Sequence, residues 1–115
     1  MTVHNGSPAS AFKVVSYRNG RVFSLGRGVG KKWKAPVIQF PVGEWFSDPA
    51  PYGISATPTR SGAEAVIRDM KRRRVLPMPR GMRVVWVLGR GVIERKRWRY
   101  KFREICILAK GELVG

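Results

Sequence analysis

A single segment of this sequence, residues 62–74, has the spacing of an amphipathic helix. Its apolar residues recur at intervals of three and four and form one stripe: Ala63, Val66, Ile67 and Met70. Ser61 precedes the stripe as the predicted N-cap, and Glu64 follows three residues later, as in a capping box. Pro77 and Pro79 prevent the helix from continuing. The sequence therefore predicts one helix and requires the rest of the chain to fold without another.

The remaining segments are short, rich in β-branched and aromatic residues, and separated by glycine and proline. The predicted strands are residues 12–17, 21–25, 36–40, 53–56, 83–88 with 92–93, and 97–108. Asn19-Gly20 predicts a tight hairpin because both residues tolerate positive φ, and Gly89-Arg90-Gly91 is interpreted as another turn. We expect an α+β fold: an antiparallel sheet of about five to six strands with one helix, about 62–74, packed on it.

The length and composition indicate one folded domain. The chain has 115 residues, 43% of them hydrophobic, which predicts a single domain at 11–115. Residues 1–10 are mostly small and polar and include Gly6 and Pro8, so they are predicted to form a flexible lead-in. No apolar run approaches the roughly 20 residues of a membrane span, and the first ten residues lack the pattern of a signal peptide. The single cysteine excludes an intrachain disulfide and is compatible with a reducing compartment. We therefore expect no membrane association.

The charge of the chain is strongly unbalanced. Twenty-three Lys and Arg residues face seven Asp and Glu residues, a net charge of +16. Self-repulsion of this size favours a polyanionic partner that neutralises it. Solubility, or an organism with arginine-rich proteins, is the alternative explanation. Residues 60–115 carry sixteen basic and five acidic side chains, a net of +11, so we expect the binding surface there.

The segment from Arg95 to Arg103 has a basic residue at every second position. Read as one strand, it places five cations on one face: Arg95, Arg97, Arg99, Lys101 and Arg103. Trp98, Tyr100 and Phe102 would then occupy the other face and pack in the core. Same-face residues lie roughly 6.5–7 Å apart, which suits contacts with successive phosphates. An ordinary solvated face, or protection of a sheet edge, is the alternative.

Two further groups are candidate nucleic-acid contacts. One is the basic end of the predicted helix, with Arg72 and Arg73. The other is a glycine-rich loop at residues 26–32, where Lys31 and Lys32 are the candidates, together with Lys34 just beyond it. The loop lacks the residue spacing of the Walker phosphate-binding loop of nucleoside triphosphatases, so nucleotide hydrolysis is not expected. Trp33 and Trp45 are candidates for base stacking or for anchoring a protein interface.

Catalytic and metal-binding residues are not predicted. The only histidine, His4, lies in the expected lead-in, where no fixed partner is predicted for it. Cys106 is interpreted as a buried apolar residue because its neighbours on both strand faces are apolar. The acidic residues are scattered, with no metal-ligand spacing. We therefore expect a protein that is not an enzyme and has no cofactor or metal.

The order of segments resembles a group of small uncharacterised accessory proteins of phages and bacteria. The resemblance covers most of residues 12–108 and is carried by a "GEW" turn within residues 42–45 and a late "VxV" strand within residues 84–87. Such relatives often have a Gly-x-His-Cys-like element where this chain has Gly-Ile-Ser-Ala at residues 53–56. The resemblance implies a phage or mobile-element protein, located in the host cytoplasm or in a virion, and transfers no activity.

The sequence thus favours a small basic protein that binds nucleic acid, DNA or RNA, through a basic strand face. The alternative is a protein-interaction module, either a virion component or an inhibitor of a host complex that handles nucleic acid. In that case the basic face meets an acidic protein, and exposed tryptophans such as Trp33, Trp45 or Trp98 act as anchors.

Overall fold

The computed structural model of the protein describes residues 8–25, 37–47, 53–72 and 81–108. In chain order the elements are β1 Ala9–Arg18, β2 Arg21–Phe23, β3 Gln39–Phe40, β4 Trp45–Ser47, β5 Ile54–Ala56, α1 Arg60–Arg72, β6 Met82–Arg95 and β7 Tyr100–Ile107. The first strand begins at Ala9, so it includes the last two residues of the expected lead-in, residues 1–10. Residues 1–7 lie outside the described part.

The strands form one antiparallel sheet in the order β3-β2-β1-β6-β7-β4, and β5 also pairs with β7. Just beyond β5, Thr57 pairs with Phe12 of β1 through two backbone hydrogen bonds of 2.7 and 2.8 Å. The chain after β5 therefore connects β7 back to β1, and the sheet curls into a nearly closed barrel. The predicted α+β class, an antiparallel sheet with one helix, is confirmed.

Two apolar clusters occupy the two faces of this sheet. The larger one lies within the curve of the sheet and contains Val15 of β1, Val85 of β6 and Phe102 of β7, all fully buried. The smaller one joins α1 to the opposite face, where Ala63 packs with Val14 and Val84. Neighbouring residues along β1 and β6 thus contribute to different clusters, as side-chain alternation in a strand requires.

The β1–β2 hairpin forms as predicted. Arg18 and Arg21 are paired across it, which leaves Asn19 and Gly20 as the two turn residues. Both have positive φ, 52° and 76° respectively. These values match the type of two-residue turn whose twist suits a hairpin.

The helix α1 begins earlier than the sequence predicted. Thr59, not Ser61, is the N-cap, because its hydroxyl accepts a hydrogen bond of 3.0 Å from the backbone N–H of Gly62. Ser61 lies inside the first turn, and the predicted capping box with Glu64 is wrong. The apolar stripe is confirmed at its two ends, since Ala63 and Met70 are both buried.

The predicted turn at Gly89–Gly91 is wrong, because β6 continues through it. Gly89 pairs with Ala9 on one side and with Ile105 on the other. Its missing side chain leaves the space that the buried ring of Phe102 occupies. Gly91 adopts a φ of 69°, and the pairing with β7 shifts register just beyond it, between Val92 and Glu94, but the strand continues to Arg95.

The predicted strand over residues 97–108 is confirmed for Tyr100–Ile107, but its predicted start is wrong. The chain reverses direction at residues 96–99, where backbone hydrogen bonds of 2.8 and 3.4 Å join Lys96 and Arg99. The final strand, β7, starts only at Tyr100. In addition, Trp45–Ser47 forms the strand β4 against β7, in a segment for which no strand was predicted.

Candidate nucleic-acid interface

The end of the β6–β7 hairpin contains the five basic residues that were predicted to lie on one face of a single strand. They do not share one face of one strand, however. Arg95 is the last residue of β6, Arg97 lies in the turn, Arg99 precedes β7, and Lys101 and Arg103 belong to β7. The prediction of one shared strand face is wrong, because the turn distributes these cations over both strands of a hairpin. The hairpin nevertheless keeps them at the same end of the molecule.

Glu94, near the end of β6, binds three of the surrounding cations. Its carboxylate lies 3.0 Å from Lys96 Nζ, 3.1 Å from Arg99 Nη2 and 3.6 Å from Lys101 Nζ. Hydrogen bonds from Lys96 and Arg99 lower the pKa of Glu94 from 4.5 to about 2. One carboxylate thus joins β6, the turn and β7, and it partly neutralises these three cations.

Three arginines at the hairpin end remain available to an external anion. Arg95, Arg97 and Arg103 are exposed and form no ion pair with any described carboxylate. The guanidinium of Arg95 lies 5.6 Å from the centre of the Tyr100 ring, which holds it near the sheet. These three side chains, rather than all five of the predicted set, are the strongest candidates for phosphate contacts.

The aromatic residues of this segment divide between core and solvent. Phe102 is fully buried and Tyr100 is half-buried, with their rings edge to face at 5.9 Å. Trp98 is 66% exposed, so its predicted core position is wrong. The physical reason is its place in the turn, where no strand alternation directs its side chain towards the core.

Trp45, a predicted stacking or anchoring residue, is half-buried and already stacked. The guanidinium carbon of Arg90 lies 4.0 Å from the centre of its ring. Arg90 also pairs with Glu104, which accepts a hydrogen bond of 2.6 Å from the Ser47 hydroxyl. The bonds from Ser47 and then Arg90 lower the pKa of Glu104. This cluster ties β4 to β6 and β7, and it was missed because β4 itself was not predicted.

The other candidate contacts lie elsewhere. Arg72, in the last turn of α1, is exposed and pairs with Asp69. Lys31, Lys32, Trp33, Lys34 and Arg73 fall outside the described residues. Cys106 is 8% exposed, so its predicted burial is confirmed.

A smaller basic feature at the β1–β2 turn was missed by the sequence analysis. Arg18 and Arg21 are direct cross-strand partners and line a shallow depression of about 390 Å³ with Asn19 and Phe23. The Arg18 guanidinium lies 4.5 Å from the centre of the Phe23 ring. This turn is at the end of β1 that pairs with the start of β6, far along the sheet from the β6–β7 turn.

The described residues contain neither a cluster of metal ligands nor a membrane-spanning helix. Within residues 8–25, 37–47, 53–72 and 81–108, no three His, Cys, Asp or Glu side chains group as metal ligands. No helix in these ranges is long and apolar enough to cross a bilayer.

Comparison with known proteins identifies no relative of this chain. No family model matches this chain, and no curated protein or solved structure is similar to it. The resemblance to small phage and bacterial accessory proteins therefore stays a prediction.

Proposed function

We propose that this protein binds nucleic acid through phosphate contacts made by the end of the β6–β7 hairpin. Residues 94–103 contain six basic side chains and one acidic side chain. The observation that carries the proposal is that three of these cations, Arg95, Arg97 and Arg103, are exposed and have no carboxylate partner among the described residues.

Electrostatics and geometry both favour a phosphate backbone as the ligand. A chain of net charge +16 attracts a polyanion and gains free energy when bound counterions leave the nucleic acid. Arginine suits this contact because its planar guanidinium can bind one phosphate through two N–H groups. Phosphate contacts carry no sequence information, so we propose binding that tolerates different sequences.

The resemblance described above supplies the biological setting of the proposal. It suggests an accessory protein of phage or mobile-element origin, acting in the cytoplasm of the host or within a virion. The protein's role there would be to hold nucleic acid rather than to modify it.

The test is a salt titration of binding to DNA and RNA with a variant that removes only the available charges. This variant carries Arg95→Ala, Arg97→Ala and Arg103→Ala. Arg99 and Lys101 are left intact because they pair with Glu94 and brace the hairpin. We expect weaker binding to all sequences alike, and a slope of log affinity against log salt reduced by up to about 3, roughly one unit per lost phosphate contact.

A matched control removes the same charge from other surfaces, through Arg18→Ala, Arg21→Ala and Lys71→Ala. All three residues are exposed. Both triple variants lower the net charge from +16 to +13. If the control loses as much affinity as the hairpin variant, general attraction explains binding and the hairpin is not the contact surface.

A protein-interaction module is the second candidate. The observation that favours it is the exposure of Trp98, because tryptophan is enriched among the residues that dominate protein interfaces. In this case the protein would not bind DNA or RNA at moderate salt, and it would bind one acidic protein of a virion or a host complex. Loss of that binding in the hairpin variant, without any nucleic-acid affinity in the parent, would favour this second function.

A further inference from the structure

Trp98 is the most exposed large apolar side chain that the structure describes. It is 66% exposed, against 40% for Trp86, the next most exposed tryptophan described. Neither of the two apolar clusters includes Trp98. An indole ring in water makes no contribution to folding through burial, so packing within the described residues does not account for it.

The turn that carries Trp98 is firmly held although its ring is in solvent. Backbone hydrogen bonds between Lys96 and Arg99 close the turn. Glu94 adds ion pairs to Lys96 and Arg99 across the same turn. A ring presented on a braced turn loses little conformational freedom when it binds a flat partner, which favours affinity.

The neighbours of Trp98 favour a nucleotide as that partner. Arg97 precedes it, exposed and without a carboxylate partner in the described ranges, and Arg99 follows it. Surfaces that bind single strands combine an aromatic ring, on which a base stacks, with cations that follow the phosphates. In a duplex the faces of the bases are already stacked, so the ring could bind one only by separating a base step.

We propose that Trp98 stacks on an unpaired base, so that the preferred ligand of the hairpin is single-stranded nucleic acid. This inference rests on the proposed nucleic-acid function and adds the structural class of the ligand. Arg97 binds the phosphate beside the stacked base, and Arg95 and Arg103 bind phosphates further along the strand. The aromatic face accepts any base, which agrees with the sequence tolerance proposed for the phosphate contacts.

The test compares Trp98→Ala with the parent on a single-stranded DNA of about 12 nucleotides, a length within the usual site sizes, and on a duplex of the same length. We expect Trp98→Ala to weaken single-strand binding by about five-fold to one hundred-fold. Its binding to the duplex should stay within about two-fold of the parent, because the phosphate contacts are unchanged. Trp98→Phe should retain most of the single-strand affinity, since it keeps an aromatic face.

Trp86→Ala is the matched control, since it removes another exposed indole, from β6 rather than from the turn. It should leave single-strand affinity unchanged. A second readout is tryptophan fluorescence: the single strand should quench the parent more than Trp98→Phe, because a base stacked on the indole quenches its emission.

The possible results separate the inference from the function on which it rests. If the parent binds nucleic acid but Trp98→Ala binds both forms as tightly as the parent, stacking is wrong and phosphate binding stands. A larger loss on the duplex than on the single strand would overturn the inference in favour of a ring inserted between base pairs. If the parent binds neither form even at low salt, the proposed function itself fails, and capture of an acidic protein by Trp98 becomes the explanation.

Discussion

Glu94 forms the ion pairs that join the two strands and the turn at the end of the β6–β7 hairpin. It is the one acidic side chain among the ten residues from 94 to 103, and it contacts three of the six cations there. Without it, these cations would repel one another across the turn. Its contacts also separate the cations that hold the hairpin from those that are available to a ligand.

The pH dependence of stability should report this role of Glu94. Because its pKa in the folded protein is about 2, below the ordinary 4.5, its ion pairs stabilise the fold fully above pH 4.5. This stabilisation is lost as the pH falls through about 2. In thermal melts, the parent should therefore exceed Glu94→Gln in Tm near pH 6, and the difference should shrink between pH 4.5 and 2.

Glu64→Gln provides the control for this comparison. Glu64 is exposed on α1 and has no ion pair with another described residue, so its replacement measures the loss of one negative charge alone. An NMR titration of the Glu94 carboxylate gives its pKa directly. A value near 4.5 would contradict the ion-pair cluster.

Among the elements, the β6–β7 turn is the one that the local sequence pattern did not indicate. A basic residue recurs at every second position from Arg95 to Arg103, and the turn lacks the Gly, Asn or Pro that usually marks a reversal. A period of two continues unchanged through such a turn, so the segment is indistinguishable from one strand. Conversely, Gly89 and Gly91 suggested a reversal where β6 continues and Gly89 leaves space for the ring of Phe102.

At the start of α1, the structure predicts unequal roles for two neighbouring hydroxyl residues. Thr59→Ala should lower the free energy of unfolding by about 0.5–2 kcal/mol, because the Gly62 N–H loses its acceptor. Ser61→Ala, the position that the sequence suggested as N-cap, should change it by less than about 0.5 kcal/mol. Chemical denaturation of both variants measures the difference, and a larger effect at Ser61 would contradict the cap at Thr59.

For the whole molecule, the described ion pairs leave most of the positive charge uncompensated. Glu94, Glu104 and Asp69 are all engaged with basic side chains. Since only seven acidic residues face twenty-three basic ones, the remaining cations repel one another in the folded state.

Salt should therefore act on stability and on binding in opposite directions. Raising the ionic strength from about 0.01 M to about 0.15 M shortens the screening length from roughly 30 Å to roughly 8 Å. We expect Tm to rise by several degrees while affinity for nucleic acid falls. Calorimetry and a binding titration over the same salt range test both effects, and a Tm that falls with added salt would contradict the repulsion.

The control variant with Arg18→Ala, Arg21→Ala and Lys71→Ala extends this test. Its net charge of +13 in place of +16 should give a smaller increase of Tm with salt. An increase as large as that of the parent would mean that salt acts through something other than self-repulsion.

The sequence by itself determined the class of the fold, the apolar stripe of α1, the Asn19-Gly20 turn, the burial of Cys106 and the concentration of positive charge after residue 60. Each of these follows from local patterns or from composition, which act over a few residues. Tertiary structure alone decided which cations Glu94 holds, that Trp98 lies in solvent, and that Gly89 belongs to a central strand. These depend on pairing between residues distant along the chain, such as Gly89 with Ile105 and Trp45 with Cys106, and no local period encodes such pairing.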